Sequence, residues 1–182
     1  MFYRNLTTSI FIIGFLVLIS SSIQAVVIDV PGNYAKIQEA INAASNGDTV
    51  LVSDGVYTGT NNVNLDFKGK AITIKSKNGP TNCIIDCGNI DGTRGFYFHN
   101  NETLNSVLDG FTIQNGLMDN GAGIHCYYAS PTIKNNIIKS CSTIFYNGGG
   151  IYCTGTSSPK IINNTIIGNN AYYGGGLYCD SP

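Results

Sequence analysis

A parallel β-helix, an all-β solenoid with a short capping α-helix at its N-terminal end, is the fold this sequence predicts. Three observations predict it. A short motif recurs at near-constant spacing, each recurrence reads as a strand between glycine and asparagine turns, and no segment supplies helical crossovers between strands.

The recurring motif is a tripeptide led by glycines. Ile124-His125-Cys126, Ile151-Tyr152-Cys153 and Leu177-Tyr178-Cys179 follow Gly121-Ala122-Gly123, Gly148-Gly149-Gly150 and Gly174-Gly175-Gly176. Ser-Pro follows each of them within a few residues, and the cysteines are 27 and then 26 residues apart. Phe96-Tyr97-Phe98, behind Gly95, lies 28 residues before the first, and Ile72-Thr73-Ile74 and Val50-Leu51-Val52 continue backward at 24 and 22. Each triplet reads inward, outward, inward, the period of a pleated strand.

A second strand set repeats in step. Val107–Asn115 aligns without a gap to Ile161–Asn169, Ile133–Ile138 fits between them with one deletion, and Ile84-Ile85-Asp86 is an earlier member. One such unit cannot bury its apolar side alone, but stacked units can. Stacking at about 4.8 Å per rung turns like positions into ladders. The expected inward ladders are Val50, Ile72, Phe96, Ile124, Ile151, Leu177 and Val52, Ile74, Phe98, Cys126, Cys153, Cys179. The outward ladder is Leu51, Thr73, Tyr97, His125, Tyr152, Tyr178, and a turn ladder is Asp86, Asp109, Asn135, Asn163.

The ends carry different signals. Residues 1–25 hold one basic residue, Arg4, then the apolar run Ile10–Ile19 and a small residue, Ala25, in the order of a secretory signal peptide. Ten apolar residues fall short of the roughly 20 that a membrane span needs, and no later segment is longer. Residues 26–47 read as an N-terminal cap, with Asn33 as N-cap and Tyr34, Ile37, Ala40, Ile41 and Ala44 on one helical face. Residues 48–182 read as coils of 22–28 residues. The last of these opens at Cys179 and stops, so a longer protein is expected, truncated here at its C-terminus.

Composition narrows the partners. Charged residues are 12%, against roughly 25% in ordinary soluble domains, and glycine occurs 22 times where usual usage gives about 13. Without Arg4 the chain has 9 basic and 11 acidic residues. Such scattered charge offers no footprint for nucleic acid or for an anionic membrane.

The stretch Ile37–Gly59, IQEAINAASNGDTVLVSDGVYTG, resembles the N-terminal cap and first coil of the pectin lyase-like superfamily of right-handed parallel β-helix proteins. The later GGGIY and GGGLY rungs are similar to the repeat modules of secreted β-helix proteins and of outer-membrane autotransporters. The resemblance spans residues 27–182 and implies a right-handed coil. It does not imply an activity, because the fold carries lyases, hydrolases, esterases, epimerases and adhesins. Pectate-lyase-like members hold Ca²⁺ on clustered Asp beside a basic residue, which directs attention to Asp86, Asp109 and Arg94. The ladder position turns to Asn in the next two rungs, which fits a turn ladder better. Polygalacturonase motifs are absent, since His99 and His125 lack flanking glycines and no Asp-Asp pair occurs. Of the pectin methylesterase set only Gln114 and Asp109 lie near one another. No catalytic residue is carried over, and no cofactor or metal is expected; Ca²⁺ enters only under a lyase reading.

The binding candidate is the outward row Tyr97, His125, Tyr152 and Tyr178, with Tyr127, Tyr128, Tyr172 and Tyr173 nearby, whose flat faces suit sugar rings. Aromatics also serve simply as good strand residues. Six cysteines suit an exported protein with disulfides, yet the spacing of Cys126, Cys153 and Cys179 exceeds that of bridged Cβ atoms, so they read as buried fillers. Cys83 and Cys87 could bridge locally. Asn101-Glu102-Thr103 and Asn163-Asn164-Thr165 match the glycosylation sequon. The resulting expectation is a secreted or cell-surface β-helix repeat protein acting as a carbohydrate-interacting or adhesion-type scaffold, with a polysaccharide or cell-surface glycan as partner. The alternative is a polysaccharide lyase or glycoside hydrolase whose catalytic coils lie beyond this chain.

Overall fold

The computed structural model describes residues 24–143 and 145–180. The expected leader falls almost wholly on residues 1–23, outside the described residues. β1 (Val27–Val30) and the helix α1 (Ile37–Ala43) precede the first coil, which carries β2 (Thr49–Val52) and β3 (Gly55–Thr58). The next holds β4 (Thr73–Ser76), β5 (Cys83–Asp86) and β6 (Phe96–Phe98). Then come β7 (Val107–Asp109), β8 (Thr112–Gln114) and β9 (Ile124–Tyr127), followed by β10 (Thr132–Lys134), β11 (Ile137–Lys139) and β12 (Ile151–Thr154). The last described coil holds β13 (Lys160–Ile162), β14 (Thr165–Ile167) and β15 (Leu177–Asp180).

Every strand pairing is parallel, and each strand pairs with its counterparts one coil away. Three sheets result: β1-β2-β4-β7-β10-β13, β3-β5-β8-β11-β14 and β6-β9-β12-β15. The fold is thus a parallel β-solenoid of about five turns with one short helical cap. Successive partners Thr49, Thr73, Val107, Thr132 and Lys160 are separated by 24, 34, 25 and 28 residues, so one coil is longer than the spacing of the triplets predicts.

The core is three inward columns, one per sheet. Ile28, Val50, Ile74, Leu108, Ile133 and Ile161 fill the first, and Tyr57, Ile85, Ile113, Ile138 and Ile166 the second. Phe96 and Phe98 open the third, against Phe67, whose ring centroid is 4.7 Å from that of Phe98. All but the marginal residues of these columns are fully buried.

Three register expectations are corrected. Val50 pairs with Ile74, not Ile72, and both belong to the first sheet, whereas Phe96 and its successors belong to the third. Leu51 and Thr73 therefore do not continue the Tyr97 row. The backward extension of the third sheet is Leu65-Asp66-Phe67, where Leu65 bridges Phe96. That triplet has the same in-out-in pattern but no glycine cluster before it to mark it. Second, Leu108 stands opposite Ile133 and Ile133 opposite Ile161, so the alignment of 107–115 to 161–169 is one residue out and the intervening segment needs no deletion. In a period-2 structure that slip exchanges inside for outside.

Third, the asparagine ladder sits one residue further on. Asn136 is 1% exposed; its Oδ1 accepts from Phe111 N at 2.9 Å, and its Nδ2 donates to Leu108 O and to Asn164 Oδ1. Asn164 Nδ2 in turn donates to Ile133 O at 2.9 Å. Asn135 and Asn163 instead supply the left-handed turn, with φ of 57° and 51°.

The cap also differs in detail. α1 begins at Ile37 rather than Tyr34, and Asn33 accepts from Asp29 N in the preceding turn. Asn62, from the next coil, accepts from the first helical N–H, Ile37 N, at 3.1 Å. At the other end Lys70 Nζ donates to Ile41 O, Asn42 O and Ala44 O at 2.7–2.8 Å, satisfying the last-turn carbonyls that a helix leaves open. Ile37, Ala40, Ile41 and Ala44 form the buried face their spacing predicts, whereas Tyr34, expected on the same face, precedes the helix and is exposed.

Candidate functional site

The third sheet brings the expected outward row together. Tyr97 stands opposite His125, His125 opposite Tyr152, and Tyr152 opposite Tyr178. Ring centroids are 5.1, 4.8 and 5.8 Å apart along the row, with interplanar angles of 22°, 34° and 27°. In-register parallel strands impose this stacking, because equivalent side chains leave neighbouring strands in the same direction about 4.8 Å apart. The faces of these rings are therefore turned on one another, and Tyr152 keeps only 8% exposure. What the row offers outward is ring edges and hydroxyls.

A second row walls it in. Gly121, Gly148 and Gly174 adopt φ of 59°, 64° and 61°. A Cβ on any of them would lie 2.7 Å from the Cβ of His125, Tyr152 or Tyr178 respectively. The glycines are there because the loop backbone passes directly over the aromatic row in left-handed geometry.

Arg94 ties the row to its neighbour coil. It is 7% exposed, its Cζ lies 4.7 Å from the Tyr97 ring centroid, and its Nη1 is 2.8 Å from His125 Nδ1. Arginine only donates, so Nδ1 accepts and the imidazole is the neutral Nε2–H form. Burial first, then the Arg94 charge and His99, pull His125 down to about 3. Burial likewise lowers Arg94 to about 10, opposed by Tyr97 and Asp119. Arg94 Nε and His125 Nε2 are buried without a hydrogen-bond partner. Beside them His99 stacks on Tyr97 at 4.0 Å and lies 3.4 Å from Asp66 Oδ2.

Free aromatic faces occur at the corner where each coil turns from the second sheet to the third. Phe145 (78% exposed) and Tyr146 share one such loop, and Tyr172 (67%) and Tyr173 the next. Tyr172 N donates to Tyr146 O, which sets the loops side by side. Tyr173 also stacks on Tyr178, joining this rim to the row. Tyr127 and Tyr128 are exposed at the opposite end of β9. Sequence reasoning picked out Tyr172 and Tyr173 but missed Phe145 and Tyr146, although Tyr146 precedes Gly148 by two residues just as Tyr172 precedes Gly174, a repeated spacing that could have found it.

The acidic pair expected to stack in adjacent rungs does not. Asp86 lies in the second sheet opposite Gln114, while Asp109 lies in the first, opposite Lys75 and Lys134. Asp86 accepts from Gln114 Nε2, Asn115 Nδ2 and Gly88 N. Burial raises its carboxyl, but these bonds and Lys139 hold it below its ordinary value. Asp109 accepts from Asn135 Nδ2 at 2.7 Å and pairs with Lys134. Among the described residues, no group of three or more His, Cys, Asp or Glu is placed to hold a metal ion.

All six cysteines are free thiols, and all but Cys179 are buried. Cys126, Cys153 and Cys179 are in register in the third sheet's inward column. Cys179 lies in β15, which among the described residues pairs only with β12. Burial pushes Cys83 up to about 12, so its thiol stays protonated at neutral pH.

Taken together these features define a parallel β-solenoid repeat protein with an aromatic outer row and an aromatic loop rim. Compared with known proteins, the chain matches no family model, no curated protein and no solved structure. No helix among the described residues is long and apolar enough to cross a membrane.

Proposed function

We propose that this protein is an exported or cell-surface β-helix scaffold that binds polysaccharide or a cell-surface glycan. The observation that carries the reading is the in-register row Tyr97–His125–Tyr152–Tyr178 joined through Tyr173 to exposed rings at the corner loops. Sugar rings pack their C–H faces on flat aromatic surfaces, and tyrosine adds a hydroxyl for the sugar's own hydroxyls. The stacked row supplies a rigid base with its edges outward, and Phe145, Tyr146, Tyr172 and Tyr173 supply exposed rings, of which Tyr173 stacks on Tyr178. The apolar leader of residues 10–19 supports export, and the likeness of Ile37–Gly59 to the pectin lyase-like superfamily supports a glycan as partner.

Electrophoresis through gels containing soluble polysaccharides tests it. The wild-type chain is expected to be retarded by at least one polysaccharide, with retardation lost in a Tyr172→Ala/Tyr173→Ala variant. Equal mobility of wild type in every gel overturns the reading, as does undiminished retardation of a variant that also carries Tyr152→Ala and Tyr178→Ala.

A further inference from the structure

We infer that a cleft at the N-terminal end of the same corner takes one or two pyranose units of an uncharged sugar, an inference that rests on the glycan-binding reading. The cleft, about 530 Å³, opens between the loop after β3 and the loop after β5. Its wall is made of Thr58, Thr60, Asn61, Asp86, Thr93 and Ile90. These are the hydroxyls, amides and single carboxylate that pair with vicinal sugar hydroxyls, beside an apolar surface for a ring face. Val63 lines it as well, and Ile90 stands 61% exposed at its edge.

Charge decides the ligand class. Neither Lys nor Arg lines the cleft, and its one charged group, Asp86, is held ionised by three hydrogen bonds. An anionic sugar would bring its carboxylate or sulfate to a carboxylate, and Lys139, the cation that acts on Asp86, is not in the cleft lining to receive it, which costs affinity. An uncharged sugar brings only donors and acceptors. The cleft walls are already pinned: Gln38 Nε2 donates to Asp66 O, Asn64 Oδ1 accepts from Arg94 N, and Thr93 Oγ1 donates to Cys87 O. A ligand therefore meets a formed cavity rather than loops it must order. The cleft and the aromatic rim lie on loops that turn the same corner, so one extended chain can occupy both.

Titration calorimetry of the full chain with cellobiose, maltose and digalacturonate tests the inference, with the polysaccharide gels run in parallel. A neutral disaccharide is expected to bind, digalacturonate to bind at least tenfold more weakly, and Thr60→Trp, which fills the cleft, to cut the neutral affinity about tenfold or more. Ile90→Ala, at an exposed position that leaves the fold alone, is expected to give a smaller loss of the same sign, and circular dichroism confirms that both variants are folded. Retardation in the gels with no disaccharide binding, or with digalacturonate bound as tightly as the neutral sugars, overturns the cleft and leaves the glycan reading standing. Wild-type behaviour of both variants does the same. Absence of both retardation and disaccharide binding overturns the two together.

Discussion

Arg94 Nη1 and His125 Nδ1, 31 residues apart in sequence, sit 2.8 Å apart, and this contact fixes the protonation of the imidazole inside the aromatic row. The groups facing His125 are Arg94, His99, Tyr97, Tyr127 and Tyr152, with Asp119 near Arg94. None of those in contact is an anion, so a protonated His125 has no partner.

Stability is therefore predicted to fall between pH 7 and pH 4.5 in part because of this residue. Its pKa is about 3 folded and about 6.5 unfolded, so the unfolded chain binds the extra proton between those values. The contribution is fully present above pH 6.5 and is lost as pH falls toward 3. Urea unfolding at pH 7 and pH 4.5 is expected to show a lower midpoint at the acid pH, with the difference reduced in His125→Gln. An unchanged difference in the variant would place the acid sensitivity elsewhere.

Asn136→Ala is expected to destabilise the fold by about 2–3 kcal/mol, because Phe111 N, Leu108 O and Asn164 Oδ1 lose a buried partner together. Asn163→Ala, at an exposed position of the equivalent turn one coil further on, is expected to cost less than half as much. Paired chemical-denaturation curves decide between them, and equal losses would show that the inner ladder contributes nothing specific.

Two glycines with nearly the same backbone separate conformational strain from contact. Gly148 (φ 64°) has Ile151 O 2.6 Å and Tyr152 Cβ 2.7 Å from where a Cβ would lie, while Gly168 (φ 63°) has nothing within 4 Å. Gly168→Ala should cost the left-handed term alone, about 1–2 kcal/mol. Gly148→Ala should cost measurably more and shift the aromatic near-ultraviolet signal of the tyrosine row. Equal thermal shifts would mean the loop moves freely off the row.

Lys70→Met keeps the length of the stem but removes three hydrogen bonds to the end of α1. A loss of about 1–3 kcal/mol is expected, from charge-assisted bonds to otherwise open carbonyls. Hydrogen exchange localises it: protection of Ala44 N, which donates to Ala40 O, should fall first. Uniform loss across the coils would show that the cap does not act locally.

How far the residues announced this arrangement depends on which column is considered. The Gly-led triplets 124–126, 151–153 and 177–179 lock into the register their spacing implies, because cysteine, glycine and proline mark the same point in each coil. Leu65-Asp66-Phe67 carries no such mark, so Ile72-Thr73-Ile74 took its place although it lies in another sheet. Asp86 and Asp109 looked equivalent because each ends a short apolar run; three sheets per coil rather than two put them on different faces. Stacking of the outward row was legible, and with a rung spacing of about 4.8 Å it already implied that the rings turn their faces on one another rather than outward. The cleft arises from unrepeated segments, where periodicity carries no information, whereas Tyr146 and Tyr172 of the rim stand at the same distance before their glycine clusters and were legible from the repeat.

Each described strand bonds only to counterparts one coil before and one coil after it. Tandem duplication of one coil's worth of codons would therefore insert a rung without breaking any pairing elsewhere, and deletion of one would close the gap just as simply. The row of outward rings would lengthen or shorten by about 4.8 Å per event. Reach along a ligand chain is, in this architecture, a property that replication slippage can adjust in whole steps while chemistry at each step stays the same.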